Sequence, residues 1–361
     1  MIIDVHAHIV PEHFPPVGIR ASAARWPTMD HFEAGRAKVM IAGSNFRTVT
    51  DQCWSITRRA SDLPKEGVDA QVISPMPELL SYWFTPQDAA DMCRHVSETI
   101  AKMVQASPKQ FYGLGMVPLQ EPDLAAKLLP ELKRMRLLGI EVGSNILGKS
   151  LGEPRFLSFW QEVERQDMSV FVHALHPTFV DRITGPEQAM VGLVNAVGFP
   201  ADTALTISSL ITGGVLGRCP NLRLAFSHGG GTFPLGLPRL EHAWSGIWNG
   251  ARPSASVEGR AGLMDLLPKS PAEYARKLYY DTLVFDRRAI RYMIEMLGST
   301  QLVVGTDYPF VAREQPVGKT LRSMGLPEQE MEDIAWRNCL RFLGLKVSTD
   351  TQSQPSNGKE R

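Results

Sequence analysis

The sequence is poor in cysteine, and its cysteines show no pattern that would bind a metal or build a disulfide framework. Only four occur in 361 residues, and none forms a C-x-x-C pair. Zinc ribbons need paired cysteines, and small disulfide-stabilised domains need a dense, even-numbered set. We therefore expect all of them to be reduced residues of the core: Cys53, Cys93, Cys219 and Cys339.

An excess of charge of one sign is also missing. The 38 basic residues are balanced by 38 acidic ones, so the formal net charge is +0 at pH 7. A chain without a basic excess has no global field to hold a polyanion or an anionic membrane. This balance argues against nucleic-acid and membrane partners.

Long apolar runs are absent as well. No stretch reaches the ~18 consecutive apolar residues of a membrane-spanning helix, and the first residues lack the basic and apolar segments of a signal peptide. We expect a cytoplasmic protein.

What the sequence does contain is eight short runs of β-branched and apolar residues bounded by turn residues, a pattern typical of buried strands. Between them, apolar residues recur at helical spacing. The length would allow two average domains, but mostly apolar strands that alternate with helices indicate a parallel sheet covered on both faces. Eight such units predict an α/β fold, a (β/α)8 TIM barrel that forms one domain over residues 1–346. The strands are predicted at 1–5, 69–74, 111–117, 138–143, 169–173, 222–227, 278–282 and 301–306, and the helices at 86–105, 123–136, 154–166, 201–216, 287–297 and 327–343.

Two segments depart from this regular alternation. The stretch between the first two strands is longer than one helix needs, which predicts a loop insertion over about 11–47 at the C-terminal face of the barrel. The polar segment 347–361 is low in apolar residues, which predicts a disordered C-terminal tail.

The first strand leads into the stretch Asp4-Val5-His6-Ala7-His8. Alternate residues of a strand point to the same side, so we expect both imidazoles to face one point. An H-x-H triplet alone is weak evidence for a metal site, because it occurs often by chance. Other residues have to support it.

Three further candidates follow strand ends: His173, His228 and Asp307. The C-terminal ends of barrel strands meet on one face, where the active sites of this fold lie. Taken singly, a histidine at such a position is more often a hydrogen-bonded turn residue, and an aspartate before Tyr-Pro is more often a turn or cap residue. The coincidence of all the candidates at matching positions favours a shared site.

Three imidazoles and one carboxylate suit Zn²⁺ or another borderline divalent ion, with one position left for water or substrate. The fourth predicted strand contains no lysine that could be carboxylated to bridge two ions, so a single ion is expected. The predicted metal ligands are His6, His8, His173 and Asp307.

His228 is interpreted as a general acid/base beside the bound water, whose pKa a zinc ion lowers to about 7. Three glycines follow it in the sequence and allow close backbone approach. His228 and Asp307 are therefore the predicted catalytic residues.

At this point the motifs resemble a known family. From residue 1 to about 345 the chain is similar to the amidohydrolase superfamily, and within it to the amidohydrolase-2 group, which includes decarboxylases of the 2-amino-3-carboxymuconate-6-semialdehyde (ACMS), salicylate and resorcylate types. The most specific motifs are S-H-G-G-G-T-F at 227–233 and G-T-D-Y-P-F at 305–310, supported by others at 4–8, 44–47, 66–72, 117–120 and 171–173.

The resemblance implies a distorted (β/α)8 barrel with one metal ion, most simply Zn²⁺ with Mn²⁺ as an alternative, on the four ligands above. It also implies that Arg47 and Arg239 bind a substrate carboxylate, the second across the interface of a homodimer. Arginine suits this role because its planar guanidinium meets a carboxylate with two hydrogen bonds. Without the resemblance, both would be read as solvated surface residues.

The chain departs from ACMS decarboxylase after the fifth strand, where it reads His173-Ala174-Leu175-His176-Pro177 in place of His-Pro-Trp-Asp. The pocket floor is therefore expected to differ, and the substrate can be another acid. His176 is a candidate substrate contact, with a helix-capping or ligand-supporting role as the alternative.

Three functions are compatible with these residues. The preferred hypothesis is nonoxidative decarboxylation of an unsaturated or aromatic carboxylic acid in the cytoplasm. The main alternative is metal-dependent hydrolysis of a lactone, amide or carbon–carbon bond in an anionic intermediate of aromatic catabolism, since both reactions need activated water and a histidine base. A noncatalytic protein on the same fold would be expected to have lost a ligand or the base, and this chain retains all five candidates.

Overall fold

The computed structural model describes residues 1–177, 179, 192–245, 267–310 and 313–347. Its main sheet has eight parallel strands, each hydrogen-bonded to the next along the chain. We number them β1 Ile3–Ile9, β2 Ala70–Pro75, β3 Phe111–Met116, β4 Gly139–Gly143, β5 Ser169–His173, β6 Arg223–Phe226, β7 Tyr279–Asp281 and β8 Leu302–Val303.

Backbone hydrogen bonds between β1 and the residues that directly follow β8 close the sheet. Val5 N donates to Val304 O at 2.8 Å, and further along β1, His8 N donates to Tyr308 O at 2.7 Å. Together with the helices that follow the strands, this closure makes a (β/α)8 barrel, and the predicted fold class is confirmed.

Helices follow the strands as expected, and the predicted helix at 287–297 has the observed bounds Arg287–Leu297. The predicted helix at 327–343 is divided by a π-helical turn, Asp333–Arg337. Among the described residues, the α-helices are Ile56–Glu66, Pro86–Ala106, Pro122–Arg134, Leu157–Arg165, Phe199–Thr212, Val215–Arg218, Phe233–Trp244, Pro271–Ala275, Arg287–Leu297, Lys319–Arg322, Glu328–Glu332 and Asn338–Phe342.

The observed strand bounds differ from the predicted ones most clearly for the first and the last strand of the barrel. The first strand extends to Ile9, so both of its histidines lie inside the strand. The last strand has only two residues, because the chain turns out of the ladder towards Asp307, whose φ is 58°. A positive φ is uncommon for a residue other than glycine and marks a conformation held by its surroundings.

Part of the predicted insertion forms a three-stranded antiparallel sheet, made of Thr28–Glu33, Arg36–Ile41 and Ser44–Thr50. Its apolar side chains Ala37, Val39 and Val49 are buried, so the sheet is attached to the body of the barrel. The predicted disordered tail, apart from Val347, lies outside the described residues.

The burial of the first strand and of the cysteines agrees with what the sequence predicts. The β1 strand is buried along its whole length, as expected when helices and barrel interior cover both faces. All four cysteines are free and buried, as predicted. None of the helices in the described part of the chain combines the length and apolar character that crossing a bilayer requires.

Candidate metal centre

The β1 strand places two imidazoles side by side inside the barrel mouth. His6 and His8 are both fully buried, and their Nε2 atoms are 3.1 Å apart. His6 Nδ1 lies 2.6 Å from Asp281 Oδ2, and His8 Nδ1 lies 2.9 Å from Pro75 O. Because each Nδ1 faces an oxygen acceptor, it carries the proton and leaves the Nε2 lone pair for another partner.

His173, the last residue of β5, repeats this arrangement. Its Nδ1 lies 2.6 Å from Ala174 O, and its Nε2 is buried with no hydrogen-bond partner among the described residues. Buried polar atoms normally have a partner, so an unpaired ring nitrogen in this position fits a metal ligand.

Asp307 completes the group from the turn after β8. Its Oδ1 lies 3.2 Å from His8 Nε2 and 3.7 Å from His6 Nε2. Ligand atoms around a tetrahedral Zn²⁺ at about 2.0–2.1 Å are separated by about 3.3 Å. The separations among His6, His8 and Asp307 are close to that value, so these three donors fit one divalent ion.

The backbone holds Asp307 against β1. Asp307 N donates to His6 O at 2.8 Å, and Gly305 lies where a side chain would not fit. A Cβ on Gly305 would approach His6 Cβ to 2.9 Å and Asp281 Cβ to 2.7 Å. The glycine therefore lets the chain after β8 pass close to β1 and β7.

The electrostatics favour a neutral His173 beside an ionised Asp307. Burial, followed by the neighbouring imidazoles, lowers the pKa of His173 well below its usual value. Burial opposes ionisation of Asp307, but the neighbouring imidazoles, His8 first and then His6 and His173, hold its pKa below the usual range. Neutral imidazole and ionised carboxylate are the forms that bind a metal ion.

His228 borders the same position from the turn after β6. Its ring centroid is 5.2 Å from those of both His6 and His173, and one ring nitrogen lies within 4.8 Å of the ligand atoms of His6, His173 and Asp307. Burial, followed by the charge of His6, lowers the pKa of His228. The structure thus brings together all five residues that the sequence singled out at strand ends.

The glycines after His228 are required by this turn. His228 itself has φ 53°, and Gly229, Gly230 and Gly231 have φ of 64°, 74° and 63°. A Cβ on Gly231 would lie 2.1 Å from Pro200 O, and one on Gly229 would lie 2.5 Å from Val284 Cγ1. Only glycine fits these positions, and the resulting turn directs His228 towards the site.

Arg47 lies one layer further out, on the antiparallel sheet. Its guanidinium stacks on Phe310 at 4.4 Å, and Phe310 in turn stacks on His8, with ring centroids 5.8 Å apart. Its Nη2 is 3.4 Å from Glu78 Oε1. Arg47 is therefore within reach of a ligand that also contacts the histidine cluster.

The two remaining predicted residues lie outside the buried cluster. Arg239 is on the exposed side of the helix Phe233–Trp244. His176 is exposed just after β5, and its carbonyl accepts a hydrogen bond from Asn145 Nδ2 at 3.2 Å.

Sequence reasoning missed three carboxylates around the site. Asp281 is the last residue of β7, a strand-end position of the kind that singled out the other candidates. Glu141 in β4 is fully buried with its Oε2 3.6 Å from His8 Nδ1, and burial raises its pKa well above the usual value. Glu78, which contacts Arg47, lies in a 3₁₀ turn where the sequence carries no comparable signal.

Comparison with known proteins finds similarity over nearly the whole chain. A family model described as Amidohydrolase matches residues 3–345. The chain is 36% identical over 348 residues to the 2-amino-3-carboxymuconate-6-semialdehyde decarboxylase of Dictyostelium discoideum, covering 95% of this chain and 91% of that protein. It is 28% identical over 244 residues to a gamma-resorcylate decarboxylase of Rhodococcus jostii, covering 62% of this chain and 67% of that protein.

Solved structures show the same fold. A dihydroxybenzoic acid decarboxylase from Polaromonas, crystallised with manganese and the inhibitor 2-nitroresorcinol, matches with a TM-score of 0.67 at 19% identity. The match covers 82% of this chain and 88% of that one. At this identity the likeness supports the barrel architecture.

Proposed function

We propose that this chain, which belongs to the amidohydrolase family, is a metal-dependent nonoxidative decarboxylase of an unsaturated or aromatic carboxylic acid. The observation that carries the proposal is the 36% identity to an ACMS decarboxylase over 95% of the chain. The convergence of the predicted ligands and base at the barrel mouth supports the same activity.

His6, His8, His173 and Asp307 would hold the ion. His8 is preferred to His228 as the fourth ligand, because His8 Nε2 lies within 3.2 Å of both His6 Nε2 and Asp307 Oδ1. The imidazole-rich donor set favours Zn²⁺, with Mn²⁺ as the alternative. When bound, such an ion supplies Lewis-acid stabilisation of charge on oxygen and water that ionises near neutral pH.

His228 is the proposed general acid/base. Direct loss of CO₂ from a vinyl or aryl carbon would leave a localised carbanion, so that carbon has to become tetrahedral first. A neutral His228 imidazole can take a proton from the water that adds to the double bond, or carry the proton that reaches the ring carbon. The lowered pKa of His228 keeps the imidazole neutral and ready to accept a proton.

Arg47 is proposed to bind the departing carboxylate, or a second one, of the substrate. Its position beside Phe310 and His8 lets it hold an anion next to the cluster. Holding the carboxylate in one orientation lowers the entropic part of the barrier. His176, at the exposed rim, stays a candidate substrate contact.

Arg239 is proposed to act in the site of a second copy of the chain. Around the helices Phe199–Thr212 and Phe233–Trp244, four large apolar side chains of the described residues are exposed. A homodimer that covers this surface would bury them and carry Arg239 into the interface. The four are Leu193, Val197, Leu205 and Leu235, with exposed fractions of 42%, 54%, 58% and 72%.

The remaining parts of the proposal concern location and partners. A neutral net charge supports a small-molecule acid as the partner rather than nucleic acid or an anionic membrane. Location in the cytoplasm is proposed with it. Hydrolysis of a lactone, amide or carbon–carbon bond on the same metal centre is the alternative reaction.

The test is to incubate the Zn²⁺- or Mn²⁺-loaded protein with carboxyl-¹³C acids of the muconate, salicylate, resorcylate and carboxyvanillate types. We expect ¹³CO₂ from at least one acid and the matching product that lacks the carboxyl group. Metal-free protein is the control. Hydrolysis or ring-opening products without ¹³CO₂ would contradict the decarboxylase assignment and favour the hydrolase.

A further inference from the structure

We propose that Arg59 is a positioning residue that holds His8 and Asp307 in place as metal ligands. The inference rests on the metal centre of the proposed function. It goes beyond that function because Arg59 is not one of the residues proposed to bind the metal, bind the substrate or transfer a proton.

Arg59 lies on the helix Ile56–Glu66, and its side chain is fully buried. Its Nη2 donates a hydrogen bond to the carbonyl oxygen of His8. The preceding residue, Arg58, faces the surface and pairs with Asp62 at 3.1 Å. Two adjacent arginines on one helix therefore have different surroundings, and only the second points into the barrel.

The same guanidinium reaches the strand end that carries Asp307. It stacks on the ring of Tyr308, the residue directly after Asp307, with its Cζ 4.9 Å from the ring centroid. The hydroxyl of Tyr308 donates to Asp62 Oδ2 at 3.1 Å, so the ring is fixed at its far end as well. Arg59 thus contacts the backbone of one ligand and the neighbour of another.

A second connection runs through side chains inside the barrel. Arg59 Nη1 donates to Gln71 Oε1 at 3.4 Å, and Gln71 Nε2 donates to Asp4 Oδ2 at 3.1 Å. The same Asp4 oxygen accepts from Thr306 Oγ1 at 2.7 Å. Tyr308 N donates to Thr306 Oγ1 at 3.2 Å, so the residues on both sides of Asp307 belong to this network.

Asp4 also accepts a hydrogen bond from His6 N at 3.1 Å through its other oxygen. The network therefore touches the backbone of both β1 ligands and both chain neighbours of Asp307. These are the segments whose relative position sets the 3.2 Å separation between His8 Nε2 and Asp307 Oδ1.

The charge of Arg59 supports a role beyond filling space. Within the described ranges, no carboxylate lies within ion-pair distance of its nitrogens, and its Nε is buried without a partner. A buried cation without an ion pair is costly, and an apolar side chain would fill the same volume at lower cost. Only a guanidinium supplies both a hydrogen-bond donor to His8 O and a flat surface that stacks on Tyr308.

The experiment compares Arg59→Met, Arg59→Lys and Gln71→Met with the control Arg165→Met, because Arg165 is an exposed arginine at the end of the helix Leu157–Arg165 and pairs with Glu162, outside the network. Each protein is stripped of metal, and its affinity for Zn²⁺ and Mn²⁺ is measured by competition with a chelator. The visible absorption of the Co²⁺-loaded form reports ligand geometry. Outer contacts of this kind change metal affinity by about 10- to 100-fold.

We expect an about 10- to 100-fold loss of affinity for Arg59→Met together with an altered Co²⁺ spectrum. The loss should be smaller for Arg59→Lys and Gln71→Met, and Arg165→Met should behave as the wild type. A folded Arg59→Met protein with wild-type affinity and an unchanged spectrum would overturn the inference. If Arg59→Met does not fold, wild-type affinity and spectrum in both Arg59→Lys and Gln71→Met would overturn it instead. A wild-type protein that binds no divalent ion would remove the metal centre itself, and the inference with it.

Discussion

Asp281 and His6 form a fully buried pair, with Asp281 Oδ2 2.6 Å from His6 Nδ1. The other carboxylate oxygen accepts from Gly229 N at 2.9 Å and from Leu283 N at 3.1 Å. Burial alone would raise the pKa of Asp281, but the hydrogen bond from His6 and the imidazole charges hold it below the usual value. An ionised Asp281 therefore orients His6 and also ties it to the turn that carries His228.

The first prediction follows from this pair. Replacing Asp281 with Asn removes the anionic acceptor of His6, so the imidazole is less firmly oriented and less basic. We expect the affinity for Zn²⁺ or Mn²⁺ to fall by about 10- to 100-fold, measured by chelator competition. The control is Asp286→Asn, because Asp286 is a partly exposed N-cap of the helix Arg287–Leu297 and Asn is also a good cap. Equal affinities in the two variants would contradict the role given to Asp281.

The second prediction separates the base from the ligands. We expect His228→Gln to keep a wild-type metal content and to lose about 10²- to 10⁴-fold in kcat, the usual contribution of a general acid/base. His6→Ala and Asp307→Ala should instead lose the metal, measured by elemental analysis after dialysis. A His228→Gln protein that loses its metal would identify His228 as a ligand. Undiminished metal in both other variants would remove the proposed donor set.

The third prediction concerns the pair formed by Arg47 and Glu78, which is only partly buried and 3.4 Å apart. If Arg47 binds the substrate carboxylate as proposed, Glu78 competes with that carboxylate for the guanidinium. Glu78→Gln should therefore lower KM for an acid substrate, whereas Arg47→Gln should raise it by about 10- to 100-fold, the value of one or two charge-assisted hydrogen bonds. Glu98→Gln, on the exposed side of the helix Pro86–Ala106, is the control. An unchanged KM in Glu78→Gln would show that Glu78 does not restrain Arg47.

The architecture was predictable because its signals are local. The strand Ser169–His173 has its predicted bounds, since a short apolar run between polar turns leaves little choice of register. The gathering of His6, His173 and Asp307 followed from the topology alone, because parallel barrel strands bring their C-terminal ends together. The bounds of β8 were wrong, because the turn to Asp307 depends on contacts with β1 that lie far away in sequence.

The surroundings of the site were harder to predict for a related reason. Arg58 and Arg59 are adjacent and identical in type, yet one is exposed and the other fully buried. Arginine is usually exposed, so the sequence predicts a surface position for both. Only the rotation of the helix against the barrel decides which of the two side chains is buried. Asp281 carried the same strand-end signal as Asp307 and could have been found by the same reasoning.

The fourth prediction uses the buried thiols. Burial raises the pKa of Cys53 to about 12 and that of Cys219 to about 11, and it raises those of Cys93 and Cys339 further. Only thiolates react, so Ellman's reagent at pH 8 should label none of them in the native protein and all four after unfolding in guanidinium. Rapid labelling of the native protein would contradict the burial.

The same shifts set the sign of a pH effect on stability. The folded pKa values lie above the ordinary thiol value of about 8.5, so the unfolded chain loses these protons first as the pH rises. The contribution of the thiols is therefore complete below about pH 8.5 and declines above it. Denaturant titrations at pH 8 and pH 10 should show a smaller free energy of unfolding at the higher pH. A fourfold Cys→Ser variant should show less of this decline.

The fifth prediction tests whether Arg239 serves the site of a second copy. If it does, each active site needs His228 from its own chain and Arg239 from the partner. The Arg239→Ala and His228→Gln proteins then lose activity for different reasons, the first for want of the partner's arginine and the second for want of its own base. In a hybrid dimer, the Arg239→Ala chain keeps its own His228 and receives an intact Arg239, which restores one site. Random mixing after dissociation should then recover about a quarter of the wild-type activity per chain. If Arg239 acts within its own chain, both sites of the hybrid are defective and mixing restores nothing. Each variant mixed with itself gives the baseline, and sedimentation of the mixture checks that dimers have formed.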